Sequence, residues 1–244
     1  MYPTGWSGNL GNEIRLRLAA SAASKERRLA SLLDGRAPDP ALGEAVREAQ
    51  VTGSLGLSGL PATVEDVRAG VAGREAPSAV SGLLRAMAAV DPRAALTVDA
   101  LVAWHRAATG ASGFRSTDAE RPGGTPPAPP DFIAGRLAIL DQWMNAPSAA
   151  ELTASQQGAL ALARVVEVKP FDDGNGRVSR LAAAHLMVRA GSRPPILNPA
   201  DAARLEKALQ AAFQLHTEPL AALLDEAAER ALDVMIRAAE RTSR

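Results

Sequence analysis

Residues 169–180 read Lys169-Pro170-Phe171-Asp172-Asp173-Gly174-Asn175-Gly176-Arg177-Val178-Ser179-Arg180. Pro170 stops whatever helix precedes it, because proline cannot donate to the helical ladder. Asp-Asp-Gly-Asn-Gly fits no regular element. Its glycines let the backbone turn tightly, expose N–H groups and admit a ligand at close range. A new helix follows, carrying Leu181, His185 and Leu186. A glycine-rich loop that opens into a helix N-terminus favours phosphate, through free N–H groups and the positive end of the dipole. Arg177 and Arg180 lie three apart on the first turn, so both can face one anion, and guanidinium groups grip phosphate oxygens in pairs. Asp173 beside such a site suits Mg²⁺, which takes few protein carboxylates and keeps phosphate oxygens and water.

Outward from this stretch, most of the chain reads as helix. Alanine and leucine are abundant and aromatics make up 3% of the residues. Ile14, Leu18, Ala22, Leu29 and Leu33 share a stripe that predicts a helix over 13–33, ended by Asp34-Gly35. Asp39-Pro40 caps a second, over 41–50. The run 52–59 holds Gly53, Gly56 and Gly59 and reads as poor helix. Thr63 with Asp66 forms a capping-box pair that restarts helix. Further helices are expected over 78–90, 97–108, 131–144, 153–167 and 177–190. Two or three more fill the last 45 residues, which Pro219 breaks, and the last of them covers 225–237. Residues 109–130 are rich in glycine and proline and form a long irregular loop, a kind of segment that is often functional inside a compact domain. The fold class is all-α.

The stretch 169–180 resembles the Fic signature, His-Pro-Phe-x-(Asp/Glu)-Gly-Asn-Gly-Arg-x-x-Arg, at every position but the first, where Lys169 stands for histidine. More of the chain is similar to that family, over roughly residues 40–226. The resemblance implies a Fic-like helical bundle, with a possible small β-hairpin in a target-docking flap within 116–124. It divides the chain into an N-terminal helical segment, 1–62, and a Fic-like domain, 63–244. It also implies transfer of AMP, or another phosphate-linked group, from ATP or another nucleotide to a hydroxyl. By position Asp173 would hold Mg²⁺. Gly174, Asn175 and Gly176 would form an anion hole, Arg177 and Arg180 would grip phosphates, and Phe171 would anchor the loop in the core. The flap would hold a protein target by strand-like pairing.

Lys169 would then occupy the place of the general base. An ordinary lysine has a pKa near 10.4, so its protonated amine accepts no proton at pH 7. Three readings stay open. The chain is a non-catalytic pseudo-Fic that binds nucleotide or a partner. Alternatively, Arg177, Arg180 and the helix N-terminus depress the Lys169 pKa, so that a neutral amine acts as base or nucleophile. Or Lys169 stays charged and supports a diverged reaction on a phosphorylated small molecule. The family's inhibitory helix also looks degenerate: its pattern places Ser58 where a glutamate is expected, with Ser54, Gly59 and Thr63 around it. A serine cannot form the glutamate's ion pair with Arg180.

The bulk numbers narrow the partners. The chain has 27 basic and 27 acidic side chains, so no basic surplus points to nucleic acid. It has no cysteine, which excludes disulfides and thiolate metal sites. No stretch reaches the ~20 apolar residues a bilayer crossing needs. Arg15, Arg17, Lys25, Glu26, Arg27 and Arg28 interrupt every apolar run of a would-be signal peptide. A soluble, cytoplasmic protein is the expectation. His105, His185 and His216 lack metal-ligand spacing, so His105 and His185 read as structural.

Overall fold

The structure is a computed structural model and describes residues 7–34, 39–121 and 126–242, with side-chain surroundings from residue 17 onward. The expected stop at Gly35, the place of Ile14 in its stripe and the part of the expected flap at 122–124 lie outside the described residues. The chain is all-α. Its helices are α1 (Ser7–Leu33), α2 (Pro40–Leu57), α3 (Val64–Val71), α4 (Ser78–Ala88), α5 (Val98–Thr109), α6 (Ile133–Asn145), α7 (Ala154–Val168), α8 (Asn175–Arg189), α9 (Ala202–Ala212) and α10 (Glu218–Thr242). No strand occurs among the described residues, so the hairpin contemplated for the flap has no counterpart there. No described helix is long and apolar enough to cross a membrane.

The helix starts follow local chemistry. Thr63 and Thr153 close capping boxes with Asp66 and Gln156, and the Thr97 hydroxyl accepts from the Ala100 N–H. Each satisfies donors that the first turn leaves without a partner. Pro219 opens α10 instead of breaking it, since the second position of a helix needs no N–H from that residue. The final helix is therefore longer than the expected 225–237. Lys25 of α1 pairs with Glu229 at 2.7 Å and with Asp233 at 2.8 Å, which ties α1 along α10.

α7 and α8 form the central pair. On one side α2, α4, α5 and α6 pack a core around Leu55, Leu83, Leu101, Leu137, Val165 and Phe171. On the other, α9 and α10 close a second core with Leu162, Met187, Leu205 and Leu224. The loop between α7 and α8 seats Phe171 in the first of these cores.

The reading of 52–59 as poor helix is overturned, for α2 runs unbroken to Leu57. Packing supplies the reason. A Cβ on Gly53 would sit 1.9 Å from the Leu197 carbonyl oxygen, and one on Gly56 would sit 2.6 Å from the Pro199 ring. The glycines let the segment before α9 lie directly on α2. That contact outweighs a helix-propensity cost of about 1 kcal/mol per glycine.

Gly53→Ala therefore sets the two effects against each other. Propensity alone makes it stabilising; the overlap with a backbone carbonyl makes it destabilising by about 1–3 kcal/mol. Urea unfolding of the variant decides between them, and we expect the loss. A second expectation concerns His185, which is buried with its ring 5.4 Å from that of Trp104. Burial, with Arg189 adding to it, holds its pKa below the ordinary value. The unfolded chain binds the proton and the folded one resists it, so stability drops as pH falls below about 6.5. His185→Leu should flatten that slope in unfolding curves recorded between neutral and mildly acidic pH.

Candidate phosphate-binding site

α7 ends at Lys169, which takes the left-handed conformation, φ 47 and ψ 63. A lysine reaches that region at a cost of roughly 1–2 kcal/mol, and the surroundings enforce it. The Lys169 N–H donates to the Val165 carbonyl at 3.0 Å, and Arg115 Nε donates to the Lys169 carbonyl at 2.7 Å. Phe171 then drops into the core and is fully buried, with its ring stacked on His105 at 3.8 Å and 1°. Asn175 closes the loop: its Oδ1 accepts from the Phe171 N–H at 2.9 Å, and its Nδ2 donates to the Phe171 carbonyl at 2.7 Å. Its side chain is thus spent on loop shape, and only its backbone is offered to a ligand.

Gly174 caps α8 with φ +79. Its left-handed backbone is one reason for glycine there. The other is space, for a Cβ would lie 2.8 Å from Thr109 Cγ2 and 3.3 Å from His105 Cδ2. The end of α5 is the platform under the loop. His105 Nε2 lies 3.0 Å from the Asp173 carbonyl oxygen, which only accepts, so Nε2 carries the proton. Burial holds the His105 pKa below the ordinary value; the bond to Asp173 opposes this and Arg177 adds to it. His105 is structural, as the sequence suggests, and it is structural for this loop.

The first backbone bond of α8 runs from the Val178 N–H to the Gly174 carbonyl at 3.0 Å. The N–H groups of Asn175, Gly176 and Arg177 consequently have no acceptor within the helix. They lie at the positive end of the helix, where anions are favoured, and two arginines flank it. Arg177 is buried and turned inward: Nη2 meets Asp173 Oδ2 at 2.6 Å, and Nη1 donates to the Ala108 carbonyl at 3.3 Å. The Asp173 side chain is 82% exposed, so its carboxylate remains open to solvent while it pairs with Arg177.

Arg180 reaches across to α2. Its Nε donates to Ser54 Oγ at 2.9 Å, and its Nη2 donates to the Ser54 carbonyl at 2.8 Å and to Ser58 Oγ at 2.7 Å. Among the described residues no carboxylate pairs with it. Burial, with Arg177 close by, pulls its pKa down to about 10. Ser58 thus stands beside the arginine at which the sequence pattern expects a glutamate. A cavity of about 30 Å³ lies beside Arg177 and Arg180, lined also by Gln50, Ser54 and Leu197. It is the size of a water molecule, too small for a nucleobase.

The segment before α6 meets the same place. Arg115 is 3% exposed and donates to the carbonyls of Lys169, Thr117, Ala128 and Val168, while its own N–H donates to the Pro170 carbonyl at 3.0 Å. Arg121 Nη2 donates to the Val166 carbonyl at 2.6 Å and the Glu167 carbonyl at 3.0 Å. Lys169 Nζ donates to the Glu120 carbonyl at 3.1 Å. Sequence reasoning missed the work of Arg115, Arg121, His105 and Ser54. The one signal available was Phe114-Arg115, an apolar-cationic pair inside a glycine- and proline-rich loop.

Residues 95–187 match the Fic/DOC family. The chain is 31% identical over 130 residues to "Protein adenylyltransferase Fic" of Culex quinquefasciatus, covering 53% of this chain and 26% of that protein. It is 28% identical over 239 residues to the protein of the same name from Drosophila willistoni, covering 86% of this chain and 48% of the relative. The matches thus span only a quarter to a half of the length of these curated relatives. Fic-1 from C. elegans shares the fold, with a TM-score of 0.76 at 21% identity over 96% of this chain and 76% of that structure.

Ser58→Glu tests the electrostatics of the site. The new carboxylate meets Arg180 and supplies the charge that its hydroxyl partners do not. Binding of pyrophosphate, measured by calorimetry, should weaken by about tenfold or more, equivalent to 1.4 kcal/mol. The ligand-free variant should melt higher than the parent.

Proposed function

We propose that this chain is a Fic-type enzyme that binds ATP or another nucleotide by its phosphates at residues 173–180 and transfers AMP or another phosphate-linked group to a hydroxyl. The observation that carries the reading is the end of α8: three free N–H groups behind the left-handed Gly174, next to Arg180, a half-buried cation balanced only by neutral oxygens. Such a place gains from a polyanion, since the donors are fixed before the charge arrives. The similarity to proteins named protein adenylyltransferase points to AMP as the group transferred.

In this reading the N–H groups of Asn175, Gly176 and Arg177 go to the phosphates, Gly174 lets them approach closely, and Arg180 adds charge. Arg177 keeps Asp173 in place. The described residues contain no cluster of three His, Cys, Asp or Glu, so no all-protein cation cage is present. The single exposed carboxylate of Asp173 fits Mg²⁺, which is often held by one carboxylate together with phosphate oxygens. Bound there, the ion would offset charge on the transferred group. Residues 63–244 would form the Fic-like domain, and residues 1–62 would bring Ser54 and Ser58 to Arg180. The acceptor hydroxyl would belong to a protein target, and a diverged reaction would instead act on a phosphorylated small molecule.

Lys169 takes the position of the motif histidine. One observation favours a second reading, binding of nucleotide without transfer: Lys169 Nζ acts as a donor, to the Glu120 carbonyl. The test uses ATP radiolabelled at its α-phosphate with Mg²⁺, with and without cell lysate, on the parent, Lys169→His and Lys169→Ala. We expect label on protein and released pyrophosphate with the parent, and loss of both with Lys169→Ala. Label with Lys169→His alone would leave nucleotide binding and remove transfer from the parent. No ATP binding to any of the three in calorimetry would sink both readings.

A further inference from the structure

The C-terminal end of α7 and the segment 115–121 are joined by three cationic side chains, and the third differs from the other two. Arg115 and Arg121 sit on the segment and donate to α7, to the carbonyls of Val166, Glu167, Val168 and Lys169. These are the last carbonyls of the helix, which lack intrahelical partners and carry its negative end. The Arg121 guanidinium also lies over the Phe213 ring at 4.6 Å from its centroid. Lys169 runs the other way. It sits at the end of α7 and donates from Nζ to the segment, at the Glu120 carbonyl, 3.1 Å away.

Both the backbone and the side chain of Lys169 are therefore committed to this junction. Its carbonyl accepts from Arg115, its N–H holds the last turn of α7, and its ammonium group takes a carbonyl one residue before Arg121. Without it, Arg115 and Arg121 fix only the two ends of the segment, and among the described residues no other side chain holds the Glu120 carbonyl.

We propose that Lys169 is a positioning residue, a clasp that fastens segment 115–121 across the end of α7 beside the phosphate loop, and not the group that takes a proton. The clasp has a consequence for what the segment can receive. An added peptide strand needs a free edge, with N–H and C=O groups of alternate residues pointing one way. Here the Arg115 N–H and the Thr117 carbonyl, at odd positions, and the Glu120 carbonyl, at an even one, are all engaged within the protein. While the clasp holds, residues 115–121 offer no continuous strand edge to a polypeptide. This inference does not depend on whether AMP is transferred.

The test is hydrogen exchange read by mass spectrometry on the parent, Lys169→Met and Lys169→Arg. Lys169→Met keeps the length and removes the donor; Lys169→Arg keeps a charged donor. We expect exchange over 116–121 to quicken about tenfold in Lys169→Met, the scale of one lost hydrogen bond to a charged group. It should stay close to the parent in Lys169→Arg, with peptides from the middle of α7 and α8 unchanged in both. Unchanged exchange over 116–121 in Lys169→Met overturns the proposal, and so does equal opening in Lys169→Met and Lys169→Arg. Should Lys169→Met not fold, the parent carries its own readout. It has three lysines, Lys25, Lys169 and Lys207. Under a limiting acylating reagent, Lys169 should react about tenfold more slowly than the exposed Lys207 if its ammonium is held by a hydrogen bond of this strength. Equal rates refute the clasp.

Discussion

Arg115 is a buried cation whose partners are backbone carbonyls, at Lys169, Thr117, Ala128 and Val168, with no carboxylate paired to it among the described residues. Burying a charge is costly unless dipoles or counter-charges replace the lost water. Here the replacement is the negative end of α7, met by a second cation, Arg121. The arrangement works in both directions. The helix end needs donors for its last carbonyls, and the guanidinium needs acceptors. Because the two needs are met by one contact, the direction in which the chain leaves α7, the left-handed turn at Lys169 and the descent of Phe171 are all fixed together.

From that junction the order passes to the loop. Phe171 is seated against His105, Asn175 closes on the Phe171 backbone, and Gly174 rests on Thr109 and His105. Each contact constrains backbone, and none of them consumes the free N–H groups at the start of α8. The loop is rigid where rigidity sets the positions of its donors. This is the economy of a preorganised anion site: the donors cost little to arrange when the ligand arrives.

Much of this was legible in the sequence because it is local. The capping residues Thr63, Thr97 and Thr153 act within four residues of themselves, and the spacing of Gly174, Asn175, Gly176 and Arg177 spells out a loop entering a helix. The all-α class follows from composition and stripe. What could not be read depends on contacts between distant segments. Gly53 and Gly56 look like breakers to a local reading; only the approach of Leu197 and Pro199 makes them helix residues with a purpose. The ion pairs that tie α10 to α1 come from Lys25, some two hundred residues away. Asn175 reads as a ligand contact until its side chain is seen closing on Phe171.

Three arginines of the region illustrate why residue type alone underdetermines role. Arg115 is balanced by carbonyl dipoles, Arg177 by the carboxylate of Asp173, and Arg180 by two hydroxyls and one carbonyl. Hydroxyl and carbonyl oxygens stabilise a guanidinium less than a carboxylate does, since their bonds are not assisted by opposite charge. Desolvation, with Arg177 close by, lowers the Arg180 pKa to about 10, and no carboxylate among the described residues offsets it. A deficit of negative charge at a half-buried cation, beside a helix end that itself favours anions, leaves the protein with unspent attraction at one point on its surface. Ser58 matters for the same reason. It keeps Arg180 oriented without neutralising it, so the attraction stays available to a ligand in place of being consumed by the fold.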